Sequence, residues 1–405
     1  MIFSVMLGLL SLLGGLIALM LVKDLIWLLR SFKYIRQRIP TKYFPFVGFA
    51  KYLDNPQKEN GLEDFFELFQ NPKNPNQTEK LILMNGLSTE PTIFLNDKDL
   101  VKQFFQKETE VSYTANVINF LAKEIFLFSK DAHGVQKDRA IFAELFFPEN
   151  LEKQTPRIRV IIQNHLDRIK IAVKKGSKSQ GTRHVEIDLK PYFKNLYSDL
   201  VSFVLFGGEV PDVDGVMLIE QIDRVIDGSH KNFISFLNIA TLGLSTKLGL
   251  DSEYNKTKRL YNRIIKKLKE VVKERETSKT YKFGCNAVDL LILKNRELEA
   301  QGKGEETISY DKIAASIFSI IFAGTDTTRK LTESSLYMLS SKPQLQQEMR
   351  EAIRRDVLGT GSGSEYQDYV NSPLLEAFMK ESLRVHTPAL MTFHRKITKT
   401  FKLIS

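Results

Sequence analysis

The chain has 405 residues, 43% of them hydrophobic, which is enough apolar material for one large core or two ordinary ones and excludes a disordered or fibrous protein. Lysine and arginine outnumber aspartate and glutamate by 58 to 48, and the resulting net charge of +10 suits an anionic lipid surface or an acidic protein partner. No zinc-finger spacing, basic tail or interleaving of aromatic with basic residues accompanies that charge, so nucleic acid is not the expected partner. The single cysteine, Cys285, excludes an intrachain disulfide and a cysteine-built zinc cluster.

Residues 1–22 carry no charge and are dense in Leu, Ile, Met and Val, matching the roughly 20 apolar residues that cross a bilayer as a helix. A transmembrane anchor is expected there. A cleaved signal peptide is the competing reading, opposed by the lack of a basic start and by the length of the apolar run. Lys23, Arg30, Lys33, Arg36, Arg38 and Lys42 follow, so the positive-inside rule places the rest of the chain in the cytosol. Trp27 suits the membrane interface, and Pro40 and Pro45 stiffen the exit, so residues 23–45 read as a basic, proline-bearing linker.

From 46 to 405 there is no low-complexity tract, repeat or long linker, and one domain is expected. Apolar residues at three- and four-residue spacing predict helices over 62–69, 100–105, 158–173, 193–205 and 260–272. Two short β-prone runs, 81–84 and 92–95, are joined through Asn85, Gly86 and Pro91 and predict a small sheet. The fold class is therefore mainly α with a small β-sheet. Residues 255–279 carry ten basic and three acidic side chains around an apolar stripe of Leu260, Ile264, Leu268, Val271 and Val272, the pattern of a solvated surface helix. The glycines at 359, 361 and 363 follow a predicted helix and not a strand, so they read as a loop and not a phosphate cradle. His133, His184, His230, His386 and His394 lack ligand spacing, which argues against a metal held by protein side chains alone.

Ser309 can cap a helix with Asp311 in its first turn, and the apolar run 313–322 then meets Ala323, Gly324, Thr325, Asp326, Thr327 and Thr328. A glycine inside a helix costs about 1 kcal/mol relative to alanine, so a buried helix that turns small and polar asks for a reason. A flat ligand supplies one: Ala323 and Gly324 let it approach, while Asp326 and Thr327 offer a carboxylate and a hydroxyl for proton delivery. A kinked core helix or a small-residue helix crossing accounts for the same hexapeptide. Glu381 and Arg384, at i and i+3 of another predicted helix, can pair on one face.

Taken together, the AGTDTT and ESLR segments closely resemble the I-helix and K-helix signatures of the cytochrome P450 family. The stretch from 81 to 105, the Leu205-Phe206-Gly207 ending and the apolar start are similar to the family's first strands, its E helix and the anchor of its microsomal members. The resemblance implies a membrane-bound haem monooxygenase of the endoplasmic reticulum, facing the cytosol, that inserts one oxygen atom from dioxygen into a hydrophobic small molecule. Electrons would come from NADPH through a flavoprotein reductase. It implies that Asp326 and Thr327 are the acid and alcohol of proton delivery, that Ala323 and Gly324 line the haem, and that Arg139 and Arg395 hold its propionates. Glu381 and Arg384 would be a structural ion pair, and residues 111–120, 318–322 and 387–393 would border the pocket.

The sequence departs from the family pattern in two places. Val135 stands where many members have tryptophan, and the family's cysteine-ligand loop lies further beyond ESLR than Ser405. Cys285 precedes the I-helix motif and lacks that loop's surroundings, so no metal ligand is expected in this chain and a C-terminally truncated fold is. A membrane-tethered binding protein that keeps only part of the fold is the alternative.

Overall fold

Apolar side chains at helical spacing become helices wherever the chain is described by the structure, a computed structural model covering residues 2–45, 67–71, 74–85, 89–106, 109–111, 142–180, 185–208, 215–233, 241, 244–277, 286–359, 364–389 and 395–397. In chain order the first elements are α1 (Ile2–Arg36), β1 (Thr41–Lys42), β2 (Gln70–Asn71), β3 (Asn74–Thr78), β4 (Leu81–Asn85), β5 (Pro91–Leu95), α2 (Lys98–Phe105) and β6 (Thr109–Val111). Helices α3 (Pro148–Gln180), α4 (Lys190–Phe206), α5 (Gly215–Phe233), α6 (Leu244–Lys247), α7 (Ser252–Thr277) and α8 (Ala287–Ala300) follow. The last are α9 (Tyr310–Ser340), α10 (Pro343–Ile353), α11 (Glu365–Val370), α12 (Pro373–Val385) and β7 (Arg395–Ile397). The chain divides into two compact units, one made of 1–120, 226–259 and 393–405, the other of 121–225 and 260–392.

In the first unit β4 is the central strand, parallel to β1 and antiparallel to β5 in unbroken register from Leu81 opposite Leu95 to Asn85 opposite Pro91. Ile82, Leu83 and Met84 are fully buried, as a continuous apolar run requires when both faces of a strand are covered. Beyond the strand end, the Asn85 amide donates to the Phe44 carbonyl at 2.6 Å and its oxygen accepts from the Phe44 N–H at 2.8 Å, replacing the next backbone rung. β6 and β7 form a separate antiparallel pair, with Val111 opposite Arg395. The helix expected over 62–69 lies mostly outside the described residues.

The apolar segment 1–22, expected as a transmembrane anchor, is the start of a longer helix. α1 runs on without a break to Arg36, and among the described residues no helix is long and apolar enough to cross a membrane. Its last turns are charged and packed on protein. Trp27 is fully buried and stacked on Tyr43 at 5.6 Å, the Tyr43 hydroxyl donates to Asp24 at 2.8 Å, and Lys23 lies buried 3.4 Å from Asp24. Burial and the neighbouring Asp24 carboxylate push the Tyr43 hydroxyl up to about 12. Trp27, expected at a bilayer interface, is thus a packing residue, and the stretch read as linker is helical as far as Arg36. Hydropathy registers that 23–45 is polar, but not that its polar groups find partners within the same unit.

The second unit is built around α9, which packs against α4, α8, α10 and α12. Ser309 caps it as expected, accepting from the Lys312 N–H at 3.3 Å. Ile313, Ala314, Ala315, Ile317, Phe318 and Ile321 are buried, and Tyr261 of α7 meets the Phe318 ring edge-on at 5.1 Å. The predicted stripe of the basic helix faces inward through Ile264, Leu268, Val271 and Val272. α4 stops at Gly207, whose φ of 79° is the left-handed conformation that glycine adopts without a Cβ penalty. At the start of α8, the fully buried Asp289 accepts from Arg275 Nη2 at 3.0 Å and from the Asn286 amide at 2.7 Å.

Candidate functional site

The site is the point on α9 where the buried apolar face gives way to the small polar one. The helix stays α-helical through Gly324. The Thr325 hydroxyl donates to the Ile321 carbonyl at 2.7 Å and the Thr327 hydroxyl to the Ala323 carbonyl at 2.6 Å, so both side chains lie back along the helix and neither opens its ladder. Among the described residues, no atom lies within 4 Å of a Cβ added at Gly324. No described helix crosses close enough to force the glycine, and among the described residues the space beside it is what a flat ligand would require.

Asp326 lies two residues beyond Gly324, with both oxygens engaged. Oδ1 accepts from Arg329 at 2.7 Å and Oδ2 from Lys330 at 2.6 Å, while Arg329 also donates to Glu333 at 2.9 Å. Partial burial works to raise the Asp326 carboxyl, but hydrogen bonds and charge from Lys330 and Arg329 outweigh it and hold the group below the usual carboxylate range. Burial likewise opposes the Arg329 charge, and Asp326 and Glu333 overcome it and hold the guanidinium above its ordinary value. Next along α9, Thr332 shares a short hydrogen bond with the Tyr197 hydroxyl from α4, and burial pushes that hydroxyl up. Arg329 and Lys330 were not expected as site residues, although the spacing of an acid with basic residues three and four positions later was there to be read.

α12 packs on α9 and carries the second motif. Glu381 accepts two hydrogen bonds from Arg384, each at 2.7 Å, and these hold the carboxyl below and the guanidinium above their ordinary values. Ser382 between them is fully buried, so the pair faces outward, with side chains 49% and 70% exposed. Arg395 is placed by its backbone in β7. Arg139, Val135 and Cys285 lie outside the described residues, as do most of the residues expected to border the pocket at 111–120 and 387–393.

The family model described as Cytochrome P450 matches residues 40–404. The chain belongs to the cytochrome P450 family. Its relatives include Cytochrome P450 93B2 of Gerbera hybrida, 23% identical over 323 residues that make up 76% of this chain and 60% of that protein. Cytochrome P450 734A1 of Arabidopsis thaliana is 24% identical over 305 residues, 74% of this chain and 54% of that one. Cytochrome P450 71A6 of Nepeta racemosa is 33% identical over 121 residues, 30% of this chain and 23% of that one. The chain thus spans 60% or less of the length of these relatives. Among solved structures, retinoic acid bound cyanobacterial CYP120A1 has a TM-score of 0.59 at 16% identity, covering 86% of this chain and 69% of that one. The fold is accordingly the mainly helical P450 fold with small sheets. Haem is the cofactor of the cytochromes P450, and α9 fits one side of such a group through the small residues Ala323 and Gly324, with no described atom within 4 Å of a Cβ added at Gly324.

Proposed function

We propose that the protein is a haem-dependent monooxygenase that inserts one atom of dioxygen into a hydrophobic small molecule. The observation that carries this reading is an unbroken α9 in which no described atom lies within 4 Å of a Cβ added at Gly324. Haem, when bound, supplies dioxygen activation. The chain's own residues do the rest: Ala323 and Gly324 leave room for the ring, Thr327 presents its hydroxyl there, and Asp326 supplies protons to Thr327 from the solvent side. Arg139 and Arg395 would hold the propionates, and Glu381 with Arg384 would brace the fold. Phe318 and Phe322 fall on the apolar side of the same helix, in keeping with pockets that are mostly apolar with few polar groups.

The reading extends to the cytosolic face of the endoplasmic reticulum membrane and to an NADPH-dependent flavoprotein reductase as the electron source. Exposed Ile17, Leu21, Leu25, Leu28 and Phe32 on α1 support membrane association, and the net charge of +10 suits an acidic partner or anionic lipid. The deciding test is the reduced carbon monoxide difference spectrum of the protein expressed from its full transcript. A thiolate-type Soret shift is expected. A compact protein that takes up no haem would overturn the reading in favour of a tethered binding protein.

A further inference from the structure

We propose that Ser319 selects substrates that already carry oxygen: its hydroxyl hydrogen-bonds a neutral hydroxyl or carbonyl group of an otherwise apolar substrate, about one helical turn from the carbon to be oxidised. This rests on the reading of α9 as the helix that borders haem and substrate.

Hydroxyls on α9 have a ready partner in the carbonyl four residues back. Thr325 donates to Ile321 at 2.7 Å, Thr327 to Ala323 at 2.6 Å and Ser335 to Leu331 at 2.7 Å. Ser319 does not use that partner. It is fully buried, and among the described residues its Oγ is the only buried side-chain polar atom of α9 that lacks a hydrogen bond. A buried hydroxyl left unpaired costs its full desolvation. Alanine would avoid that cost and is the better helix former, as Ala314 and Ala315 show a turn earlier in the same buried stretch. Because the oxygen is shielded from bulk water, a group lodged inside the protein has to satisfy it.

An orphaned hydroxyl alone is no site, and Ser382 on α12 has one too. Position sets Ser319 apart. Four residues carry an α-helix about 40° past a full turn and about 6 Å along its axis. Ser319 therefore stands one turn before Ala323, on the side of α9 that carries Ala323 and, a further turn on, Thr327. Anchor and oxygen-side residues lie along one face of one unbroken helix, a spacing that suits the two ends of a small ring system or a short chain.

Charge narrows the class further. From Ile313 to Thr325, α9 has no ionisable side chain, and its buried residues there are aliphatic, aromatic or hydroxyl-bearing. Nothing on this stretch offsets the desolvation of a carboxylate or an ammonium group, whereas a serine hydroxyl meets a neutral oxygen as donor or acceptor. The substrate class is thus a hydrophobic alcohol or ketone, and not a plain hydrocarbon or a fatty-acid anion. A site that bonds such an oxygen discriminates against the analogue without it, because the buried hydroxyl is then left unpaired.

The test is equilibrium dialysis of the protein expressed from its full transcript against matched probes: decalin with decalol and decalone, and dodecane with dodecanol. The ratio of alcohol or ketone affinity to hydrocarbon affinity is compared between proteins, which cancels the probes' different solubilities. In Ser319→Ala the ratio is expected to fall about tenfold for at least one skeleton, the worth of one hydrogen bond. Ser319→Cys, close in size but a weak donor, is expected to lose it as well. The hydrocarbons should bind both variants no worse than the unaltered protein, and the urea unfolding midpoint of Ser319→Ala should hold or rise, since no bond is lost with the hydroxyl. If Ser319→Ala does not fold, as judged by circular dichroism, Ser319→Cys carries the comparison. A ratio that stays put, the absence of binding by every probe, or failure of both variants to fold overturns the proposal. Dialysis needs no turnover, so an unchanged ratio in protein that gives the carbon monoxide spectrum overturns this inference and leaves the monooxygenase reading standing.

Discussion

Asp326 with Arg329 and Glu381 with Arg384 are the same pair by sequence, an acid followed three residues later by an arginine on a helix, and they end in different surroundings. On α9, Arg329 is 20% exposed and shared between Asp326 and Glu333, beside the hydrogen bond from Tyr197 to Thr332. On α12, Arg384 is 70% exposed and, among the described residues, bonds Glu381. Local spacing brings the charges together in both cases. Packing decides the rest: Arg329, on the helix that α4 packs against, is less exposed than Arg384, so water screens the second pair more strongly than the first.

The largest effect that separates the two helices is in their apolar faces. Phe318→Ala on α9 is expected to cost about 3–5 kcal/mol in urea unfolding, because the ring is fully buried against Tyr261. Met379→Ala on α12 is expected to stay within about 0.5 kcal/mol, its side chain being 41% exposed. Equal losses would break the contrast.

Next in size is chemistry. Asp326→Asn is expected to lower turnover about a hundredfold with substrate binding unchanged, the range of a lost acid–base group. Steady-state kinetics beside a binding titration check this. The seam between α4 and α9 is smaller again: Tyr197→Phe is expected to cost about 0.5–1.5 kcal/mol in unfolding free energy.

Two pH limbs sharpen the comparison further. The Asp326 carboxyl is held below its unfolded value, so its contribution is present above the unfolded pKa of about 3.9 and is lost as pH falls through the folded-state value. Asp326→Asn should flatten that part of the acid limb. Tyr43 has the opposite sign: the folded protein keeps its proton up to about 12, whereas the unfolded chain releases it near 10. Stability should therefore fall between those values, and Tyr43→Phe should remove the fall; an ultraviolet absorbance titration and unfolding curves check both. The smallest effect belongs to Glu381→Gln, expected to move the unfolding midpoint little, with the difference erased by added salt because both partners are open to water.

Much of the fold was legible because its signals are short in range. The three- and four-residue spacing of apolar side chains located α2, α3, α4, α7 and α9, and the β-prone runs around Asn85 and Pro91 located β4 and β5. Ser309 was readable as a cap because capping is settled within one turn. Half of the candidate site was legible in the same way, as the hexapeptide from Ala323 to Thr328 lies on one helix. The sheltering of Arg329 was not, since a basic residue after TDTT looks like any solvated charge until its side chain is seen to be 20% exposed and shared between Asp326 and Glu333.

The chain itself therefore determined the helices, the hairpin, the polar break in α9 and membership of the cytochrome P450 family, all of which depend on neighbours a few residues apart. Tertiary structure alone decided that Trp27 is buried against Tyr43 instead of meeting lipid, and that of two matching acid–arginine pairs only one is sheltered. The physical reason is common to both. Burial is set by what packs on a side chain from elsewhere in the chain, and it controls how strongly a charge or a ring interacts without changing the local pattern that brings it there.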